Sequence, residues 1–235
     1  MNATITSDYR PVLDDPIEAA SDPRPLALFT SNLHTGGAER VTVNLLRVAA
    51  AAGIPLDLLL ARAEGPLLAE VPPQVRVINF GVARVRGAIP QLVRYLRRER
   101  PRGVISHMTH VNLTAIAARA LARTGTPVIC VEHSQFSTSS AARAAHPWEL
   151  TFASWLYPWA DHIVGVSRGV ARNVEQSLGL PQGRVQSIYN PIVDSHLLAK
   201  AEQPCPHPWF AASDRPVLLS VGHLGRPEKD HTMLL

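Results

Sequence analysis

The stretch Leu26-Ala27-Leu28-Phe29-Thr30-Ser31-Asn32-Leu33-His34-Thr35-Gly36-Gly37-Ala38-Glu39-Arg40 decides how this chain is read. Its first five residues form a short apolar run behind the breakers Pro23 and Pro25, and from Ala38 onward Val41, Leu45, Val48 and Ala52 recur at helical spacing. The stretch is a buried strand, a loop and the start of a helix. Gly36 and Gly37 lack Cβ atoms, so the loop is free to adopt positive φ and to let a ligand approach its amides. At a helix N-terminus those amides have no internal partner and the peptide dipoles favour an anion, such as a phosphate or carboxylate. The competing reading of a Gly-Gly pair is a tight turn. A dinucleotide fingerprint is disfavoured, because no third glycine follows Gly37 by three and Asp57 opens the second apolar run instead of ending it.

Outward from that stretch, short β-type runs alternate with helical ones. Strands are expected near 26–30, 55–60, 75–80, 103–106, 128–131, 162–166 and 185–188, and helices near 38–52, 66–71, 88–100, 111–124, 147–159 and 167–178. The strands are continuous Val, Ile and Leu runs, which implies a parallel sheet covered on both faces. The fold class is therefore α/β, a doubly wound, Rossmann-like sheet, with ligands bound outside the carboxyl ends of its strands. The polar residues after those ends converge: His34, Gly36 and Gly37, then His107, Thr109, His110 and Asn112, then Glu132, His133 and Ser134, then Ser167 and Arg168. A lone histidine is more often structural than catalytic, and no third ligand stands at diagnostic spacing from His107 and His110, so no metal site is expected.

Composition sets limits on the rest. With 235 residues, 46% hydrophobic and 18% charged, the chain suits one large core or one domain and part of another. Residues 1–24 are acidic, rich in proline and small residues, and aperiodic, which reads as a disordered leader and not as a secretory signal. No apolar run reaches the roughly 18 residues of a membrane span. The two cysteines, Cys130 and Cys205, suggest no disulfide framework and fit a reducing cytoplasm.

The net charge of +4 is uneven: between Arg84 and Arg102 seven arginines are opposed by Glu99 alone, on a segment with an apolar stripe at Ile89, Leu92, Val93 and Leu96. A solvated helix face, an anionic membrane surface and nucleic acid are the readings, and the absence of interleaved aromatics weakens the last. Trp148, Phe152, Trp155 and Trp159 recur at helical spacing and are expected to form a core face, with membrane contact the minority reading. Residues 25–198 form the expected first domain and proline-rich residues 199–215 a linker. A strand at 216–221 would open an incomplete second domain, residues 216–235.

Four motifs in order now resemble the family 4 glycosyltransferases, two-domain GT-B enzymes that use nucleotide-sugar donors. Thr35-Gly36-Gly37-Ala38-Glu39-Arg40 with Asn44-Leu45-Leu46 resembles the family's first loop and helix. Ala160-Asp161-His162-Ile163-Val164-Gly165-Val166-Ser167 resembles its sixth strand, and Ile188-Tyr189-Asn190-Pro191-Ile192-Val193-Asp194 its interdomain junction. Val217-Leu218-Leu219-Ser220-Val221-Gly222, with Lys229-Asp230-His231 and Leu234-Leu235, resembles the opening of its donor-binding domain.

The resemblance implies an acceptor-side domain, with catalysis in a cleft against a second, donor-gripping domain. Gly36 and Gly37 would lie beside the donor phosphate, and Thr109 and Asn112 belong to the loop facing the transferred sugar, with His110, then His107, as the catalytic candidates. Arg226 and Lys229 would neutralise the leaving diphosphate. Transfer would retain configuration and need no metal or cofactor beyond the nucleotide sugar. The acceptor would be a glycan or a lipid-linked saccharide, and the enzyme would be cytoplasmic and peripheral to the inner face of the membrane. Two departures stand out: Gly222-His223-Leu224 replaces the family's Gly-Arg-Leu, and Lys229 is seven positions after the glycine instead of six. Either Arg226 substitutes for the missing arginine or the phosphate grip is damaged. The family's paired donor-binding glutamates are not in the chain. A truncated, non-catalytic binding module is the alternative, and another nucleotide-binding enzyme, such as a reductase, rests on fold analogy alone.

Overall fold

A computed structural model describes residues 22–136, 147–192, 195–205, 207–211 and 217–220. The chain divides into two units, residues 1–192 and 193–235.

The first unit is one seven-stranded sheet in which every pairing is parallel. Its strands are β1 (Leu26–Thr30), β2 (Leu56–Leu60), β3 (Arg76–Asn79), β4 (Gly103–His107), β5 (Val128–Glu132), β6 (His162–Gly165) and β7 (Val185–Ser187). Their spatial order is β3-β2-β1-β4-β5-β6-β7. The doubly wound sheet expected from the apolar runs is present, and its strand order reverses between β1 and β4.

The helices are α1 (Gly37–Ala51), α2 (Ile89–Glu99), α3 (Thr109–Ala122), α4 (Pro147–Leu156) and α5 (Arg168–Leu178). Two separate cores cover the sheet. Leu28, Leu58 and Leu60 pack with Val43 and Leu46 of α1 on one face. Phe29, Leu59, Val104, Cys130 and Ile163 pack with α2, α3, α4 and α5 on the other. Local chemistry sets the helix ends: Ser167 Oγ accepts from the Val170 amide at 3.1 Å and caps α5, whose other end is Gly179 in the left-handed region at φ 66°.

Several expectations change in detail. Residues 66–70 form a 3-10 helix behind Gly65. The helix expected over 147–159 ends at Leu156 and continues as a 3-10 turn, Tyr157–Trp159, around Pro158. The aromatic stripe is not a core face: Trp148, Phe152, Trp155 and Trp159 are all exposed, Trp155 by 74%. The inward stripe of α4 lies one to two positions away, through Leu150 and Ala153, and runs on to Tyr157 in the 3-10 turn. Both stripes have helical spacing, and the small Ala153 side chain lets the inner face approach the sheet closely.

The second unit contains α6 (Ser195–Ala201) and α7 (Pro208–Ala211). Residues 217–220 form no strand, and Leu218 and Leu219 are exposed. Among the described residues of this unit no strand stands beside that run for it to pair with. Most of the acidic leader, together with Arg226 and Lys229, lies outside the described residues.

Candidate functional site

The reversal between β1 and β4 opens a crevice at the carboxyl ends of those strands, where ligands bind in open α/β sheets. Strand alternation sorts the residues there. Ser106 and Glu132 point toward α3, and His107 and His133 point to the α1 side.

On the α3 side a buried polar network closes. Ser106 Oγ donates to Asn112 Oδ1 at 2.7 Å, and Asn112 Nδ2 reaches Glu132 Oε1 at 2.9 Å and the Tyr157 hydroxyl at 3.0 Å. Thr109 Oγ1 donates to Glu132 Oε2 at 3.1 Å, and the Tyr157 hydroxyl donates to Glu132 Oε1. Burial raises the Glu132 carboxyl to about 7, against the opposing pull of its donors Tyr157, Asn112 and Thr109. Thr109 and Asn112, expected to face the transferred sugar, are thus committed to holding the β5 end to α3. Asn112 is fully buried.

On the α1 side His107 Nδ1 lies 2.9 Å from His133 Nε2. Burial lowers His107 to about 3, helped by the neighbouring His133, and lowers His133 to about 4, so both rings are neutral near pH 7. His107 is completely buried, whereas His133 is half-buried. The β1–β4 register pairs Phe29 with Ser106, which sets Thr30 beside His107. Thr30 Oγ1 and His107 Nε2 are both buried without a hydrogen-bond partner among the described residues.

Met108, between β4 and α3, has φ 76° and ψ 144°, a strained conformation for a residue with a side chain. Its amide donates to the Val131 carbonyl at 3.0 Å and its carbonyl accepts from the Val111 and Asn112 amides at 3.0 and 2.9 Å. The strain turns the chain from strand into helix within one residue and brings α3 down onto β5. His110 follows on the first turn of α3 and is half-buried.

Gly36 and Gly37 differ from expectation: neither has positive φ. Gly36 is the extended N-cap of α1, and the space where its Cβ would stand holds the Glu39 carboxylate. Around Gly37 that space is open. The helix N-terminus already carries its own anion, and an incoming phosphate has to displace Glu39 or lodge beside Gly37. The glycine the loop needs most is Gly65, at φ 112°, whose Cβ would stand 2.2 Å from the Leu33 carbonyl oxygen. Leu33 N donates to Glu64 O at 2.9 Å and Leu67 N to Leu33 O at 3.1 Å, so the β1 loop is pinned to the loop after β2.

Asp57, the acidic residue of β2, bonds to Arg76 Nε at 2.8 Å and to the Tyr95 hydroxyl at 2.7 Å near the amino-terminal end of its strand. It is remote from the carboxyl edge where a ribose would lie. Sequence reading placed His133 at the right edge without ranking it, because its pairing with His107 spans two strands that no local spacing connects.

Residues 35–196 match the family described as Glycosyltransferase Family 4. No curated protein matches the chain. Among solved structures, the apo lipopolysaccharide outer core galactosyltransferase WaaB is 14% identical with a TM-score of 0.53, over 71% of this chain and 45% of WaaB. Alr3699/HepE from Anabaena in complex with UDP is 14% identical with a TM-score of 0.53, over 75% of this chain and 48% of that one. Sucrose-phosphate synthase from Thermosynechococcus elongatus is 15% identical with a TM-score of 0.52, over 71% and 48%. Identities this low establish likeness of fold, and the chain spans under half the length of each of the three.

Proposed function

Since the chain belongs to glycosyltransferase family 4, we propose that it is the acceptor-side domain of an enzyme that moves a sugar from a nucleotide-sugar donor to a glycan or lipid-linked acceptor, with retained configuration and no metal. The observation that carries this reading is that the α1 N-terminus, with open space at Gly37, follows β1 while the His107–His133 pair follows β4 and β5, so both lie at the carboxyl edge of the sheet where strand order reverses. Neutral imidazoles and free amides are donors suited to sugar hydroxyls and phosphate oxygens. His133 is the histidine best placed to touch a ligand and His110 the second, with His107 acting from behind. Arg226 and Lys229 would meet the leaving diphosphate from a donor-binding domain. Complexes of the similar Anabaena protein with UDP favour a uridine nucleotide among the candidate donors.

An anionic membrane as a second partner is favoured by one observation. The exposed Trp155 and Trp159 adjoin the arginine-rich helix α2 through α3: Arg119 Nη1 donates to the Trp159 carbonyl at 3.2 Å, and Arg97 Nη2 to that of the exposed Leu121 at 2.9 Å. A peripheral enzyme on the inner membrane face would suit a lipid-linked acceptor. Among the described residues no helix is long and apolar enough to cross a membrane.

The test is transfer of labelled sugar from a panel of nucleotide sugars to a lipid and glycan extract by the full coding-region protein. Retained sugar in either fraction is expected. Absence of both transfer and saturable nucleotide-sugar binding would overturn the reading in favour of a non-catalytic binding module, and saturable NADH binding would favour a reductase.

A further inference from the structure

The hydrogen bond between His107 Nδ1 and His133 Nε2 carries one proton, and two arrangements can supply it. If His133 donates from Nε2, then neutral His107 carries its proton on Nε2, where a buried N–H would face no acceptor among the described residues. If His107 donates from Nδ1, its Nε2 is a bare lone pair in that same buried position. In folded proteins a buried N–H without a partner is rarer than a buried acceptor left without one. The second arrangement therefore prevails.

We propose that His107 is a positioning residue that locks His133 in its Nδ1–H tautomer, so that the ring edge turned away from His107 presents a neutral N–H donor to the ligand. The role toward a ligand rests on the sugar-transfer reading; the tautomer does not. Burial keeps both rings uncharged near pH 7, which makes the donor an imidazole and not an imidazolium. Such a group orients a sugar hydroxyl or phosphate oxygen while adding no charge to a site that must release an anion. His107 is well suited to hold it: it ends β4, is wholly buried, and precedes the strained Met108, so its ring has little freedom.

The test is the long-range proton–nitrogen spectrum of the histidine rings in the full chain at pH 7. A pyrrole-type Nδ1 and pyridine-type Nε2 on His133 are expected, and a pyrrole-type Nε2 overturns the proposal. His107→Asn places an amide N–H near the original Nδ1 and is expected to keep the His133 tautomer. His107→Leu removes the donor, and the two His133 nitrogens are expected to move toward averaged shifts; an unchanged Nδ1–H tautomer in a folded Leu variant overturns the proposal. If the Leu variant does not fold, the native and Asn spectra still decide. A nucleotide sugar titrated into the native protein should shift His133 Nδ1. The expected tautomer with no nucleotide-sugar binding would sink the functional reading and leave the lock standing.

Discussion

Asn112 Nδ2 donates to Glu132 Oε1 at 2.9 Å, joining the first turn of α3 to the last residue of β5. Asn112 also accepts from Ser106, so one amide bonds to two adjacent strands and the helix that covers them. Replacing Asn112 with Leu leaves the Ser106 hydroxyl and the Glu132 carboxyl each short of a buried partner. The expected cost is about 2–4 kcal/mol. Urea unfolding of the native and variant chains measures it, and a change within about 0.5 kcal/mol, the usual range for surface substitutions, would show the network to be dispensable.

The same network makes stability depend on pH. Glu132 in the fold is raised to about 7 from an ordinary 4.5, so between those values the folded chain holds a proton that the unfolded chain releases, and stability falls as pH rises through that window. His107 and His133 act oppositely: both are lowered from 6.5, to about 3 and about 4, so below 6.5 the unfolded chain takes up protons first and stability falls as pH drops. Glu132→Gln deletes the first contribution alone. Its melting temperature should therefore rise more steeply from pH 4.5 to 7 than that of the native chain, and parallel curves would refute the assignment.

How much of this was legible beforehand follows from which interactions are local. The seven strands were readable because each is a short apolar run bounded by breakers, and burial on both faces removes alternation without removing the run. The crevice followed from βα alternation alone. The His107–His133 bond was not readable, since it joins residues brought together by the parallel pairing of β4 with β5. Nor was Gly65: its glycine requirement comes from the Leu33 backbone, which reaches it only when β1 and β2 pair. On α4, period alone could not choose between two stripes of equal spacing, and residue size pointed to the wrong one. The large indoles stand outside, and Ala153 and Tyr157 take the inner face.

Two glycines in the site loops should behave in opposite ways. Gly65→Ala meets both an unfavourable φ of 112° and the Leu33 carbonyl at 2.2 Å, so it should destabilise by about 2 kcal/mol or more and displace the β1 loop. Gly37→Ala adds a methyl in open space within a helix, where lost chain freedom in the unfolded state is expected to raise stability by about 0.4–1 kcal/mol. If the ligand's phosphate sits beside Gly37, that stable variant should bind nucleotide sugars at least several-fold more weakly. Calorimetric titration beside thermal melts separates the two effects, and unaltered affinity in Gly37→Ala would move the phosphate elsewhere.

The Glu39 carboxylate beside Gly36 occupies the end of α1 that an anion would take. Glu39→Gln removes the competing charge and keeps a similar shape. Uridine diphosphate affinity should then increase by a few-fold at low ionic strength, with the gain shrinking as salt screens the site. Weaker binding in the variant would mean that the carboxylate holds the ligand and does not compete with it.

The exposed aromatic stripe of α4 and the arginines of α2 define the membrane test more sharply than charge does. Arg97 is a poor probe, because its guanidinium bonds to the Leu121 and Ala122 carbonyls at 2.9 and 3.3 Å and caps α3, so its loss would disturb the fold. Arg94 is exposed and the Arg98 side chain is 82% exposed, so both can change without that cost. Cationic attraction to anionic lipid is worth about 1 kcal/mol per residue near the surface, so Arg94→Gln with Arg98→Gln should weaken vesicle binding by about tenfold or more. Indole rings favour the headgroup level of a bilayer, so Trp155→Ser with Trp159→Ser should weaken binding even to vesicles of unchanged charge. Flotation with phosphatidylglycerol-containing and purely zwitterionic vesicles separates the contributions. Loss in the arginine pair alone would describe a purely electrostatic contact, and unchanged binding in both pairs would remove the membrane from this face.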